Sequence, residues 1–110
     1  MAEMSLSSEP IYSTLAGDPD LDELVGMFVS EMPERVAALE SLVAAGDWDN
    51  LRRAAHQLKG AAGSYGFGQI SPSAARLEVA IRQACPEEKV RQAVEDLVNL
   101  CRRAQASQPG

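Results

Sequence analysis

Leu51-Arg52-Arg53-Ala54-Ala55-His56-Gln57-Leu58-Lys59-Gly60-Ala61-Ala62-Gly63-Ser64-Tyr65 is the stretch whose periodicity decides the fold. Leu51, Ala55, Leu58, Ala62 and Tyr65 recur at intervals of three and four, the spacing of one apolar face of an α-helix. His56 breaks that pattern. At ~100° per residue it points about 140° away from the apolar stripe, toward solvent. Arg52 and Arg53 lie one turn before it, and Lys59 and Gly60 one turn after. Gly63 lies two turns on, on the same side. Each of the two glycines costs a helix about 1 kcal/mol relative to Ala. With Ala61, Ala62 and Ser64 they leave a shallow strip, nearly free of side chains, beside the imidazole.

Working outward, Asp47 is placed to cap this helix and Gly46 to close the one before it. That earlier helix starts at Asp18-Pro19-Asp20, with a capping Asp and a Pro in the first turn. Leu21, Leu24, Val25, Phe28, Val29, Met32, Val36, Leu39 and Val43 form its apolar stripe. Pro33 lies inside the pattern, removes one backbone hydrogen bond, and should kink or split the helix. On the other side, the segment Gly63-Ser64-Tyr65-Gly66-Phe67-Gly68 frays into a turn. Ser71-Pro72 starts a third helix, with Ala74, Leu77, Ile81 and Ala84 inward. Cys85-Pro86-Glu87-Glu88 breaks it and opens a fourth, with Val90, Val94, Leu97 and Cys101 inward.

The expected fold is therefore all-α: four amphipathic helices joined by short turns, an antiparallel up-down four-helix bundle. Ile11, Tyr12 and Leu15 are expected to form a short N-terminal extra helix that lids it. Residues 10–105 make the bundle. Residues 1–9 and 106–110 read as disordered tails.

The chain has 110 residues, the length of one domain. It is 45% hydrophobic and 24% charged but only 5% aromatic, so small aliphatic side chains fill the core. A formal net charge of −6 disfavours a nucleic-acid partner. No apolar run approaches the ~20 residues that span a bilayer, and Met1-Ala2-Glu3-Met4-Ser5 does not resemble a signal peptide. Cys85 and Cys101 read as free thiols, which points to the cytoplasm. No helix shows a second apolar stripe, so a monomer is expected.

His56 is the only histidine. Imidazole has an ordinary pKa near ~6.5, so at neutral pH much of it is unprotonated and nucleophilic. An exposed ring nitrogen can attack phosphorus in line, and Lys59 can neutralise charge on a transferred group. Each feature also has an ordinary reading. Surface histidines are commonly just surface residues. Glycines near a helix end are commonly caps, and Arg52, Arg53 and Lys59 suit a solvated face. It is their coincidence on one face that points to chemistry.

The run Ala54-Ala55-His56-Gln57-Leu58-Lys59-Gly60-Ala61-Ala62-Gly63-Ser64-Tyr65-Gly66 resembles the signature of the histidine phosphotransfer (HPt) family. In that pattern a His is followed by Lys-Gly at the third and fourth positions and then by small residues. Gly46-Asp47-Trp48, Phe67-Gly68-Gln69-Ile70 and Ala75-Arg76-Leu77-Glu78 extend the resemblance over roughly residues 10–105. It implies a phosphorelay intermediate. His56 would accept a phosphoryl group from a receiver-domain aspartyl phosphate and pass it to another receiver aspartate. Lys59 would neutralise charge, and Glu78 would accept a hydrogen bond from the other ring nitrogen. Arg52, Arg53, Gly60, Gly63 and Ser64 would form the docking strip. The partners implied are response-regulator receiver domains and a hybrid histidine kinase. The receiver supplies the aspartate and Mg²⁺, so the chain needs no cofactor or metal of its own. It carries no ATP-binding motif and reads as a phosphoryl carrier, not an enzyme.

Three rivals stand beside this reading. The first is a helical interaction module that docks receiver domains without carrying phosphate. The second, a metal or cofactor bundle, needs several inward ligands, whereas the one histidine points outward. The third, a hydrolase using His56 as base, lacks a Ser or Cys nucleophile one turn away on the same face.

Overall fold

The computed structural model describes residues 9–15 and 17–105. The tails expected to be disordered lie outside the described residues, apart from Glu9. Five helices are present among the described residues: α1 (Pro19–Ser30), α2 (Met32–Ala45), α3 (Trp48–Ser64), α4 (Ile70–Arg82) and α5 (Glu87–Arg103). The apolar stripe expected to form one long helix is split into α1 and α2. Pro33 has no N–H to continue the α1 ladder, and the break falls at Glu31, which ends α1 and precedes α2. Asp18 caps α1, its side chain accepting from Asp20 N at 3.0 Å.

Four helices close a ring: α2 packs on α3, α3 on α4, α4 on α5, and α5 on α2. Leu39, Leu51, Leu58, Ile70, Leu77 and Leu97 fill its centre, fully buried. Each fully buried side chain of this kind contributes ~1.5–3 kcal/mol relative to exposure. Phe28 of α1 covers one end of the core, its ring 5.2 Å from Tyr65 and 5.4 Å from Phe67. Leu24 was placed in the apolar stripe but is exposed. In α1 only Val25 and Phe28 are buried, so a narrower stripe than the spacing suggests seats this helix.

The short helix expected over Ile11–Leu15 is not formed. Ile11–Tyr12 is instead a two-residue strand, β1, paired in parallel with β2 (Ala104–Gln105). A β-branched and an aromatic residue favour extended backbone, and the end of α5 offers a backbone edge to pair with. The segment that follows is tied to the α3–α4 turn. Ser13 donates its hydroxyl to Tyr65 O, and Thr14 N donates to Gly66 O at 2.9 Å. Gly66 is required there: its φ is +81°, and a Cβ would stand 2.6 Å from Ser13 Oγ.

Ala84 was expected inward on the third helix. It is exposed, at φ 51°, in the turn that ends α4. α4 ends at Arg82, two residues before the last position of the expected apolar pattern, because the residue before Pro86 is held out of the helical region.

Candidate functional site

α3 begins where expected. Gly46 closes α2 in the left-handed region at φ 70°, and Asp47 caps α3 by accepting from Asn50 N at 3.3 Å. Leu51, Ala55, Leu58 and Ala62 are buried, so the helix presents His56 on its outer face. The imidazole side chain is 59% exposed.

The neighbour that matters most comes from α4. Leu77 is buried in the core and Glu78 follows it, 96% or more of its carboxylate side chain out of solvent at 4% exposure. Glu78 Oε2 lies 3.0 Å from His56 Nδ1, and Glu78 Oε1 accepts from Lys59 Nζ at 2.9 Å. Arg82 Nη2, one turn further along α4, lies 2.9 Å from Oε2. One buried carboxylate thus gathers His56, Lys59 and Arg82. The Lys59 hydrogen bond holds Glu78 below the usual carboxylate range. Burial works in the opposite direction. The His56 hydrogen bond and the charges of Lys59 and Arg82 reinforce the lowering. A carboxylate kept ionised can only accept, so the proton of the His56–Glu78 bond resides on Nδ1. The lone pair is then left on Nε2, across the ring from the buried carboxylate.

The residues expected in the docking strip separate into three groups. Gly60 is open: a Cβ there would meet nothing within 4 Å. Gly63 faces the start of α4 instead, where a Cβ would lie 3.5 Å from Ser71 Oγ, while Ser64 is exposed. Arg52 and Arg53 are not drawn into the cluster. They pair with Asp49 on their own helix, at 3.2 and 3.4 Å. Two residues escaped the reading of the sequence. Arg82 had a signal, since it follows Glu78 by four positions. Ser71, which donates to Lys59 O at 2.9 Å, had none, because its partner lies on another helix.

Among the described residues no group of three or more His, Cys, Asp or Glu side chains is arranged to hold a metal ion. Among the same residues no helix is long and apolar enough to cross a membrane. Both cysteines are free, and burial pushes the Cys101 thiol up to about 12, against a smaller opposing pull from the Arg35 charge.

No match was found among curated proteins or among solved structures. A family model does match, that of the Hpt domain, over residues 23–107. That span contains α2 to α5 whole and includes His56, Lys59, Glu78 and Arg82. By this match the chain belongs to the Hpt domain family, the phosphoryl-carrying domains of two-component signalling.

Proposed function

We propose that the chain is a phosphorelay intermediate. His56 accepts a phosphoryl group from the aspartyl phosphate of one receiver domain and delivers it to an aspartate of another. One observation carries this reading: an exposed imidazole whose Nδ1 is held by a buried carboxylate, with Lys59 on the other oxygen of that carboxylate.

The bonds balance without proton transfer at the attacking atom. The Nε2 lone pair forms the N–P bond. The P–O bond of the acyl phosphate breaks, and its electron pair leaves with the donor carboxylate. Nδ1 keeps its hydrogen, so the phosphorylated ring gains a positive charge, which ionised Glu78 faces directly. On delivery the acceptor carboxylate attacks phosphorus, the N–P bond breaks, and its electron pair returns to Nε2. A ring that stays protonated at Nδ1 is a good leaving group, which suits a carrier that must also give the group away. Lys59 can turn from Glu78 toward the phosphoryl oxygens, since its side chain is 37% exposed. Arg82 then remains on the carboxylate.

In this reading the receiver supplies Mg²⁺ along with its aspartate. Open Gly60 lets the receiver approach the ring, and Arg52 and Arg53 form a charged rim that influences partner choice. The bundle acts as an up-down antiparallel monomer in the cytoplasm, with receivers and a hybrid histidine kinase as partners.

The test is phosphorus NMR of the wild type and His56→Gln after incubation with a phosphorylated receiver and Mg²⁺. A phosphoramidate signal confined to the wild type supports the relay. Binding to receivers with no such signal across a panel of them identifies an interaction module instead.

A further inference from the structure

Three side-chain bonds cross between α3 and α4 beside the site, and Glu78 makes only two of them. The third belongs to Ser71, whose hydroxyl donates to the backbone carbonyl of Lys59 at 2.9 Å. A serine in the first turn of a helix commonly bonds its own backbone. Ser71, the second residue of α4, uses its hydroxyl hydrogen on the neighbouring helix instead. Lys59 O lies inside α3, where one lone pair serves the helical ladder and the second is free for another donor.

The place where this bond lands matters. Gly60 follows Lys59 directly and Gly63 lies one turn on, so this is the part of α3 least held by intrinsic propensity. Ser71 stands directly against this segment: a Cβ at Gly63 would lie at ordinary van der Waals distance, 3.5 Å, from Ser71 Oγ. A soft segment of helix therefore carries the cation of the site and is pinned from outside at the residue that bears it.

We propose that Ser71 is a positioning residue for phosphoryl transfer. Its hydroxyl fixes the backbone of Lys59 against α4, and so fixes where the ammonium stands beside Glu78 and His56. Ser71 touches neither the ring nor the phosphoryl group and acts through Lys59. The inference rests on His56 being the phosphoryl acceptor.

Ser71→Ala and Ser71→Thr would be made in the wild type and in a Lys59→Met background. Two rates are measured: phosphorylation of His56 by phosphoramidate, a small donor that needs no receiver, and single-turnover transfer from a phosphorylated receiver. Receiver affinity is measured alongside. Ser71→Ala should slow both rates roughly three- to tenfold, the effect of one hydrogen bond, and leave affinity unchanged. Ser71→Thr, which keeps the hydroxyl, should restore the rates. In the Lys59→Met background Ser71→Ala should change nothing. Unchanged rates in Ser71→Ala would overturn the proposal, and so would an equal slowing without Lys59. If phosphoramidate labels His56 but no receiver transfers, the relay reading fails and the labelling rates alone decide Ser71. If neither labels His56, both fall.

Discussion

A single Glu–Arg pair and a group of ion pairs around one glutamate both tie helices together in this molecule, and they are opposite in character. Glu40 of α2 pairs with Arg102 of α5 at 3.2 Å, both side chains more than half exposed. Glu78 of α4 meets Lys59 and His56 of α3 at similar distances, but its carboxylate is 4% exposed and Arg82 joins as a third partner. In water the first pair gains little, since solvent already satisfies each partner. At the second, desolvation makes every partner count, and removing one leaves a buried group short. The presence of charge does not mark the site; the burial of one charge among several exposed ones does.

Gly60→Glu should have the largest effect on activity. It places a like charge and bulk on the open strip where an acidic receiver site must approach, and transfer should fall about a hundredfold with the fold intact. Gly68→Glu, in equally open space but outside the α3 strip, should transfer normally. Equal rates for the two in a single-turnover assay would remove the open-strip reading. Gly60 is a cleaner probe than Gly63, whose Cβ would face Ser71.

Lys59→Ala should slow transfer roughly ten- to a hundredfold, less than the loss of a fully buried charge-stabilising donor because solvent reaches the Lys59 side chain, and should not unfold the bundle. Arg102→Ala should leave the rate unchanged. Stability should separate the pair from the group as well. Glu78→Gln should lower unfolding free energy by about 1–3 kcal/mol in denaturant titration. Arg102→Ala should cost about 0.2–1 kcal/mol. Similar losses would mean that burial is not the distinguishing factor.

The pH dependence follows from the lowered Glu78 pKa. Its folded value lies below the reference of 4.5, so the stability from its ionised form is present above that pH and is lost as pH falls through the folded value. Acid titrations of unfolding should therefore be steeper for the wild type than for Glu78→Gln below about pH 4.5 and parallel above it. Matching slopes would show that Lys59 and His56 do not hold the carboxylate ionised. The smallest effect concerns the thiols. Half-buried Cys85 should react with an alkylating reagent in the native protein, and buried Cys101 only after unfolding, as mass spectrometry can show.

Much of this was legible in the chain. The three-and-four spacing, the Asp47 cap, the Gly46 stop and the outward direction of His56 are local properties, set by residues within a turn or two of one another. Pro33 announced a disturbance but left open whether the helix kinks or divides. The strand at Ile11 and Tyr12 is not legible in the sequence because two residues carry no periodicity. It exists only because the end of α5 presents a backbone edge to it.

The sequence alone therefore determined the helices, the exposed histidine and its neighbouring cation, because periodicity fixes which face of a helix each residue occupies. The rest depends on how the helices pack. His56 and Glu78 stand 22 positions apart on different helices, and Ser71 stands 12 from Lys59. Whether such residues meet depends on how α3 packs on α4. Whether Glu78 is a plain surface charge or a buried anchor depends on how deeply that packing draws it out of water.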